Sequence, residues 1–107
     1  MAFYELRHYT VLPHKMDEWI QFMEEEIIPF QVAQGMVIAG SFRGQQDEST
    51  YIWMRRFETE DDCKRLYKAV YESDAWKTKI APRIPELIDR SLVKVTRLSP
   101  TPRSVLQ

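Results

Sequence analysis

Phe3-Tyr4-Glu5-Leu6-Arg7-His8-Tyr9-Thr10-Val11-Leu12-Pro13 is the stretch from which the rest of the chain is read. Aromatic and β-branched residues recur along it, and neither Gly nor Pro interrupts it before Pro13, so it reads as a strand, central in a sheet. Side chains alternate along a strand. Glu5, Arg7 and Tyr9 therefore share one face, and Tyr4, Leu6, His8 and Thr10 share the other. A charged pair inside a central strand needs an explanation, and the sequence leaves open which face is covered.

Beyond Pro13 the period changes. Met16, Trp19, Ile20, Met23, Ile27 and Phe30 recur at steps of three and four, which predicts one helical stripe, with Asp17, Glu18 and Glu24 to Glu26 on a solvated face. Pro29, lacking an amide hydrogen, is expected to kink or stop that helix, and Gly35 to terminate it. Met36 to Arg43 reads as a second strand, with Gly40 marking a bulge or a close backbone approach. Polar residues 45–49 supply a hairpin loop. Thr50 to Phe57 reads as a third strand, apolar on both sides in its first half and so expected to be covered on both.

Thr59, with Asp62 three positions on, predicts a helix start, and the acids there suit the positive end of the helix dipole. Cys63, Leu66, Tyr67 and Val70 give its buried stripe. Ser73-Asp74 opens a looser helical piece carrying Trp76, Ile80, Ile84, Leu87 and Ile88, which Pro82 and Pro85 keep from being regular. Ser91 to Leu98 reads as the last strand, followed by a tail over 99–107.

Strand, helix, strand, strand, helix, strand is the order of a split βαβ, ferredoxin-like sandwich. The predicted class is α+β: a four-stranded antiparallel sheet, ordered four-one-three-two, with both helices on one face. The 107 residues make one domain, its core over about 3–98. The uncovered face would carry either Tyr4, Leu6 and His8 or Phe3, Arg7 and Tyr9, together with residues from Tyr51 to Phe57. Monomers rarely expose so large an apolar patch, so a homodimer is expected.

Composition narrows the functional classes. An apolar share of 44% and a charged share of 29% suit a globular protein. Fifteen basic and sixteen acidic residues leave a net charge of -1, which argues against binding nucleic acid or an anionic membrane. Cys63 is the one cysteine, so no disulfide forms within the chain. No apolar run reaches membrane-spanning length, and the first residues lack the basic flank and apolar block of a signal peptide. A cytoplasmic location is the expectation.

Several residues resemble a known family. Tyr4-Glu5-Leu6-Arg7, Tyr9 and Pro13, then Ile52-Trp53, Arg55 and Phe57 before an acidic helix start, then Ser73-Asp74-Ala75-Trp76 with Pro82 downstream, look like the NIPSNAP pattern. The resemblance covers most of residues 3–100. It implies a dimeric α/β-barrel in which two sheets pair by their uncovered faces, and it implies no particular activity. This chain departs from the pattern twice. His14 follows the strand-ending Pro where the family usually has Gly. Cys63, with Lys64 and Arg65 behind it, stands where the second helix often carries Arg.

Glu5, Arg7, Tyr9, Trp53 and Arg55 are the candidate ligand-binding residues. Glu5 and Arg7 lie roughly 6.5–7 Å apart along one strand face, and Arg55 on the neighbouring strand can reach the same region. They read either as an ion-pair network inside the sheet or as the polar lining of a barrel cavity, with Arg7 or Arg55 offering a planar fork to a carboxylate or carbonyl. His8 is the one histidine that could serve a cavity as a base. His8 and His14 lack metal-ligand spacing, so no metal is expected. Cys63 reads as a small core hydrophobe. No Gly-rich phosphate loop or nucleophile motif is present, and no cofactor is implied. Two functional classes stand open. One is a binder of a small apolar or carbonyl-containing molecule, extending to a cofactor-independent oxygenase or isomerase. The other is a non-catalytic homodimeric scaffold.

Overall fold

The computed structural model describes residues 1–107. The strands are β1 (Phe3–Val11), β2 (Val37–Arg43), β3 (Thr50–Phe57) and β4 (Ile88–Leu98), ordered β2-β3-β1-β4 in one antiparallel sheet. This is the predicted order, with β1 and β3 central. In β1–β3, Glu5 stands opposite Arg55, Arg7 opposite Trp53 and Tyr9 opposite Tyr51. Directly opposed residues share a face. Those residues, with Phe3 and Phe57, form the face that the helices cover, and the buried core is built on it. The other face carries Leu6, His8, Ile52 and Met54, each half-buried, with exposed Phe42 and Leu98 toward its edges. β3 is thus fully buried on one side only, against the expectation of cover on both. Its apolar second face lies on the side that no helix reaches.

The first helical stripe exists but is not one α-helix. It runs as α1 (Met16–Phe22), a π-helical segment (Met23–Ile27) and α2 (Ile28–Ala33). Pro29 does not stop it. The Ile28 N–H bonds five residues back, to the Met23 carbonyl, and Pro29 then falls in the first turn of α2, where a missing N–H costs little. Gly35 closes α2 at φ 110°: its N–H meets the Val32 carbonyl and the Met36 N–H meets that of Gln31. That pairing is a Schellman cap, and its left-handed residue favours Gly. β2 bulges between Ile38 and Gly40, as Gly40 suggested.

In α3 (Glu60–Tyr71) the Thr59 hydroxyl accepts the Asp62 N–H at 3.0 Å, and Cys63, Leu66 and Val70 are buried. The looser piece is a second π-helical segment (Trp76–Ile80) followed by a 3-10 helix (Ala81–Glu86). β4 begins at Ile88, three residues earlier than read, so Ile88 is a strand residue. The early start was hidden by a bulge: four residues, Arg90 to Val93, stand opposite Tyr9 alone. The tail turns back, and the Gln107 carbonyl accepts hydrogen bonds from the Tyr4 hydroxyl at 2.8 Å and Arg56 Nε at 2.6 Å.

Candidate functional site

All five candidate residues lie on the covered face, between sheet and helices, and not on the uncovered face whose pairing would enclose a barrel interior. They divide into two groups. The first centres on Arg55, which is wholly buried. Its Nη2 donates to Glu5 Oε1 at 2.7 Å and to the Tyr67 hydroxyl at 2.9 Å; its Nη1 donates to Gln31 Oε1 at 2.9 Å and to the Tyr71 hydroxyl at 2.7 Å. Tyr67 donates its own proton to Glu5 Oε2 at 2.5 Å. Burial pushes the Glu5 carboxyl up, but the Tyr67 hydroxyl and the Arg55 charge outweigh it, and the group is held below the ordinary carboxylate range. The carboxylate is thus ionised, buried and doubly engaged. Sequence reasoning found Glu5 and Arg55 but not Gln31, Tyr67 and Tyr71, whose helical positions gave no sign that they reach the sheet charges.

Arg7 is placed otherwise. Its Nε donates to the Tyr9 hydroxyl at 2.8 Å and its Nη1 to the Tyr67 hydroxyl at 3.3 Å, while Glu5 Oε1 lies 3.7 Å away. Its Nη2 has no protein acceptor. Glu5 is therefore shared unequally, with the close contact going to Arg55, which faces it directly across β1–β3. Burial works against the Arg7 charge, and the phenol oxygens of Tyr9, Tyr71 and Tyr67 more than offset it.

Arg7, Tyr9 and Trp53 border a partly open cavity of about 280 Å³. Glu5 and Arg55 do not border it. The remaining walls are mainly apolar: Trp19, Met23 and Ile27 from the first helical stretch, Trp76, Ala81 and Ile84 from the second, and Val93 of β4. All three of the chain's tryptophans face it. The lining explains the irregular backbone nearby. Both π-helical segments, the 3-10 helix and the β4 bulge each contribute to it. Such π turns recur at functional sites.

His8 lies on the uncovered face and cannot serve this cavity as a base. His14 sits in the turn after β1, and no three His, Cys, Asp or Glu side chains converge as a metal site. Cys63 is buried on α3, where burial and the nearby Glu5 charge push its thiol up, which suits a core residue and not a nucleophile.

An α+β sandwich of ferredoxin-like topology, with a cavity between its sheet and its helices, defines the class. Within it, the NIPSNAP family model matches residues 4–103, and the chain belongs to the NIPSNAP family. Solved structures agree. A NIPSNAP family protein from Agrobacterium tumefaciens superposes with a TM-score of 0.87 at 27% identity, over 100% of both chains. A second from the same organism, described as of unknown function, gives 0.88 at 20% identity, over 99% of this chain and 94% of the other. A NIPSNAP-like domain protein from Burkholderia xenovorans gives 0.85 at 21%, over 96% and 88%. A search of curated proteins found no match.

Proposed function

We propose that this protein binds a small, largely apolar, carbonyl-containing molecule in the cavity between sheet and helices. One observation carries the reading. The chain keeps a tryptophan-walled space of about 280 Å³ open where its core could have closed. That size lies near the lower edge of small-molecule sites, at roughly 300 Å³, and the pattern of apolar walls with a few convergent polar groups is the usual one. Arg7 and Tyr9 orient the carbonyl, and Trp53 stacks on the body of the ligand. Glu5 and Arg55 hold Arg7 and the tyrosines in place from behind. Chemistry on such a ligand, as a cofactor-independent oxygenase or isomerase, is the extension of this reading. Native mass spectrometry of the protein purified from its own cells tests it. A retained organic molecule that is lost from Arg7→Lys, with the fold intact, is the expected result. Bare protein from several growth conditions would count against it.

A second reading has its own observation. Leu6, Ile52, Met54, Phe42 and Leu98 form an apolar surface on the sheet that no helix covers. We propose that two copies pair through this face, so that the dimer serves as carrier of two cavities or, if these prove unable to bind, as a scaffold. Light scattering at micromolar concentration should give twice the chain mass of 12.8 kDa. The single-chain mass would refute the pairing.

A further inference from the structure

The covered face of the sheet is electrically unbalanced. It holds two guanidinium groups, Arg55 wholly buried and Arg7 partly exposed, and a single buried carboxylate, Glu5. Buried charges are ordinarily paired. Arg55 takes the close contact with Glu5, Tyr67 takes the other oxygen, and Arg7 is left at 3.7 Å with Nη2 free. The positive excess therefore sits on the one residue of the three that borders the cavity.

The rest of the lining has the same sign. It contains no Asp or Glu, and its second charged group is Arg90, exposed on the β4 bulge at the cavity mouth. Arg90 forms no ion pair, although seven of the nine arginines do. Its neighbour Asp89 is turned away: Oδ1 accepts both the Ser91 N–H at 3.0 Å and the Ser91 hydroxyl at 2.6 Å. The hydroxyls of Tyr9 and Tyr71 accept from Arg7 and Arg55, and neither donates its own proton within the protein. Around an apolar space there are thus two cations and two free O–H donors, with no acidic acceptor.

We infer that the ligand is an organic anion: an apolar, ring-sized body carrying a carboxylate, its oxygens on Arg7 and the Tyr9 and Tyr71 hydroxyls, drawn in past Arg90. This rests on the small-molecule reading above and adds the charge to it. A neutral carbonyl oxygen accepts from at most two donors and leaves the guanidinium charge uncompensated; a carboxylate accepts from several and neutralises it.

Phenylacetate and its uncharged isostere phenylacetamide separate the two cases, with tryptophan fluorescence excited at 295 nm and calorimetry as readouts. Phenylacetate should bind at least about tenfold tighter, the difference expected between charged and neutral hydrogen-bonded pairs. Arg7→Met should abolish that preference. Arg7→Lys, which keeps the charge but not the fork, should weaken phenylacetate and retain the preference. Arg90→Ala should slow association more than it weakens binding. Equal binding of both probes, or a preference surviving Arg7→Met, would overturn the anion and leave the small-molecule reading standing. Binding of neither would overturn both. Should Arg7→Met fail to fold by circular dichroism, the Arg7→Lys and probe-pair measurements decide.

Discussion

Arg55 and Arg7 occupy neighbouring central strands, point to the same face, and share one carboxylate, yet they live in opposite surroundings. Around Arg55 the helix and the central pairing are regular, with α3 unbroken and the β1–β3 register held throughout, and the one irregularity is the β2 bulge after Ile38, which pairs with Arg55 on its other side. Both Arg55 amino groups have acceptors, supplied by Glu5, Gln31, Tyr67 and Tyr71. Around Arg7 the walls are π-helical, 3-10 and bulged, and one amino group faces no acceptor. The lesson is that burial alone does not mark an arginine as structural. The extent of its hydrogen bonding does: a guanidinium has five N–H donors in a fixed plane, and Arg55 engages both amino groups, leaving only its buried Nε–H without a partner, so little capacity remains for a ligand.

The contrast is easiest to break at Arg55. Arg55→Met leaves Glu5 buried beside only the more distant Arg7, and should cost about 3–5 kcal/mol in urea denaturation. Adding Glu5→Leu should recover most of the loss, because the carboxylate is then gone too. A single substitution tolerated as well as the double one would show that the cluster is not a unit.

Acid should act on the same cluster. The Glu5 carboxyl is lowered in the folded chain relative to its ordinary value of 4.5. Its contribution is therefore present above that value and is lost as the pH falls through the lower folded value. Stability followed from pH 6 to pH 2 should decline below about pH 4.5, and Glu5→Gln should flatten the decline while lowering stability at pH 6.

Arg7 should respond far less. Since Arg55 already holds Glu5, Arg7→Met needs no compensating change at Glu5 and should stay within about 1 kcal/mol of the parent, an apolar side chain replacing one that is costly to desolvate. A loss as large as that at Arg55 would merge the two regions into one structural network.

The smallest effect is expected at the end of β1. His14 adopts φ 64°, in the left-handed region that Gly enters most easily. His14→Gly should gain about 0.5–1 kcal/mol by relieving that strain, without altering either arginine. Destabilisation instead would mean that the imidazole itself holds the turn.

The element order, the sheet order and the bounds of β3 were legible because each rests on a local period or a local turn residue. So was the Thr59 cap. The grouping of Glu5, Arg7, Tyr9, Trp53 and Arg55 was legible too, since alternation along two paired strands brings them to one face. Its division into a filled cluster and a cavity wall was not. Trp19, Met23, Ile27 and Trp76 follow the same helical spacing whether they fill a core or stop short of it. What separates the cases is the winding of the backbone, and Pro29 signalled a kink or a stop near there, not a turn loosened by one residue just before it. The β4 bulge escaped for a similar reason, as Arg90 to Val93 bears no glycine or proline to mark it. Trp19 and Trp76, each in a helical stretch that also carries proline, were the available hint.

The π-helical segment after α1 also sets an angle. Each residue added to an α-helix turns it by about 100°. The extra residue between Met23 and Ile27 therefore fixes the rotational phase of everything downstream, including Gln31, relative to Trp19 and Met23 upstream. The tryptophan wall and the amide that receives Arg55 belong to one rod, held in mutual phase by that turn. Winding those residues as plain α-helix with none removed would swing Gln31 by roughly a quarter-turn away from the guanidinium, whereas deleting one of them would restore a plain helix with Gln31 still in phase. The wide winding of one turn thus ties the shape of the cavity to the integrity of the charge cluster beside it.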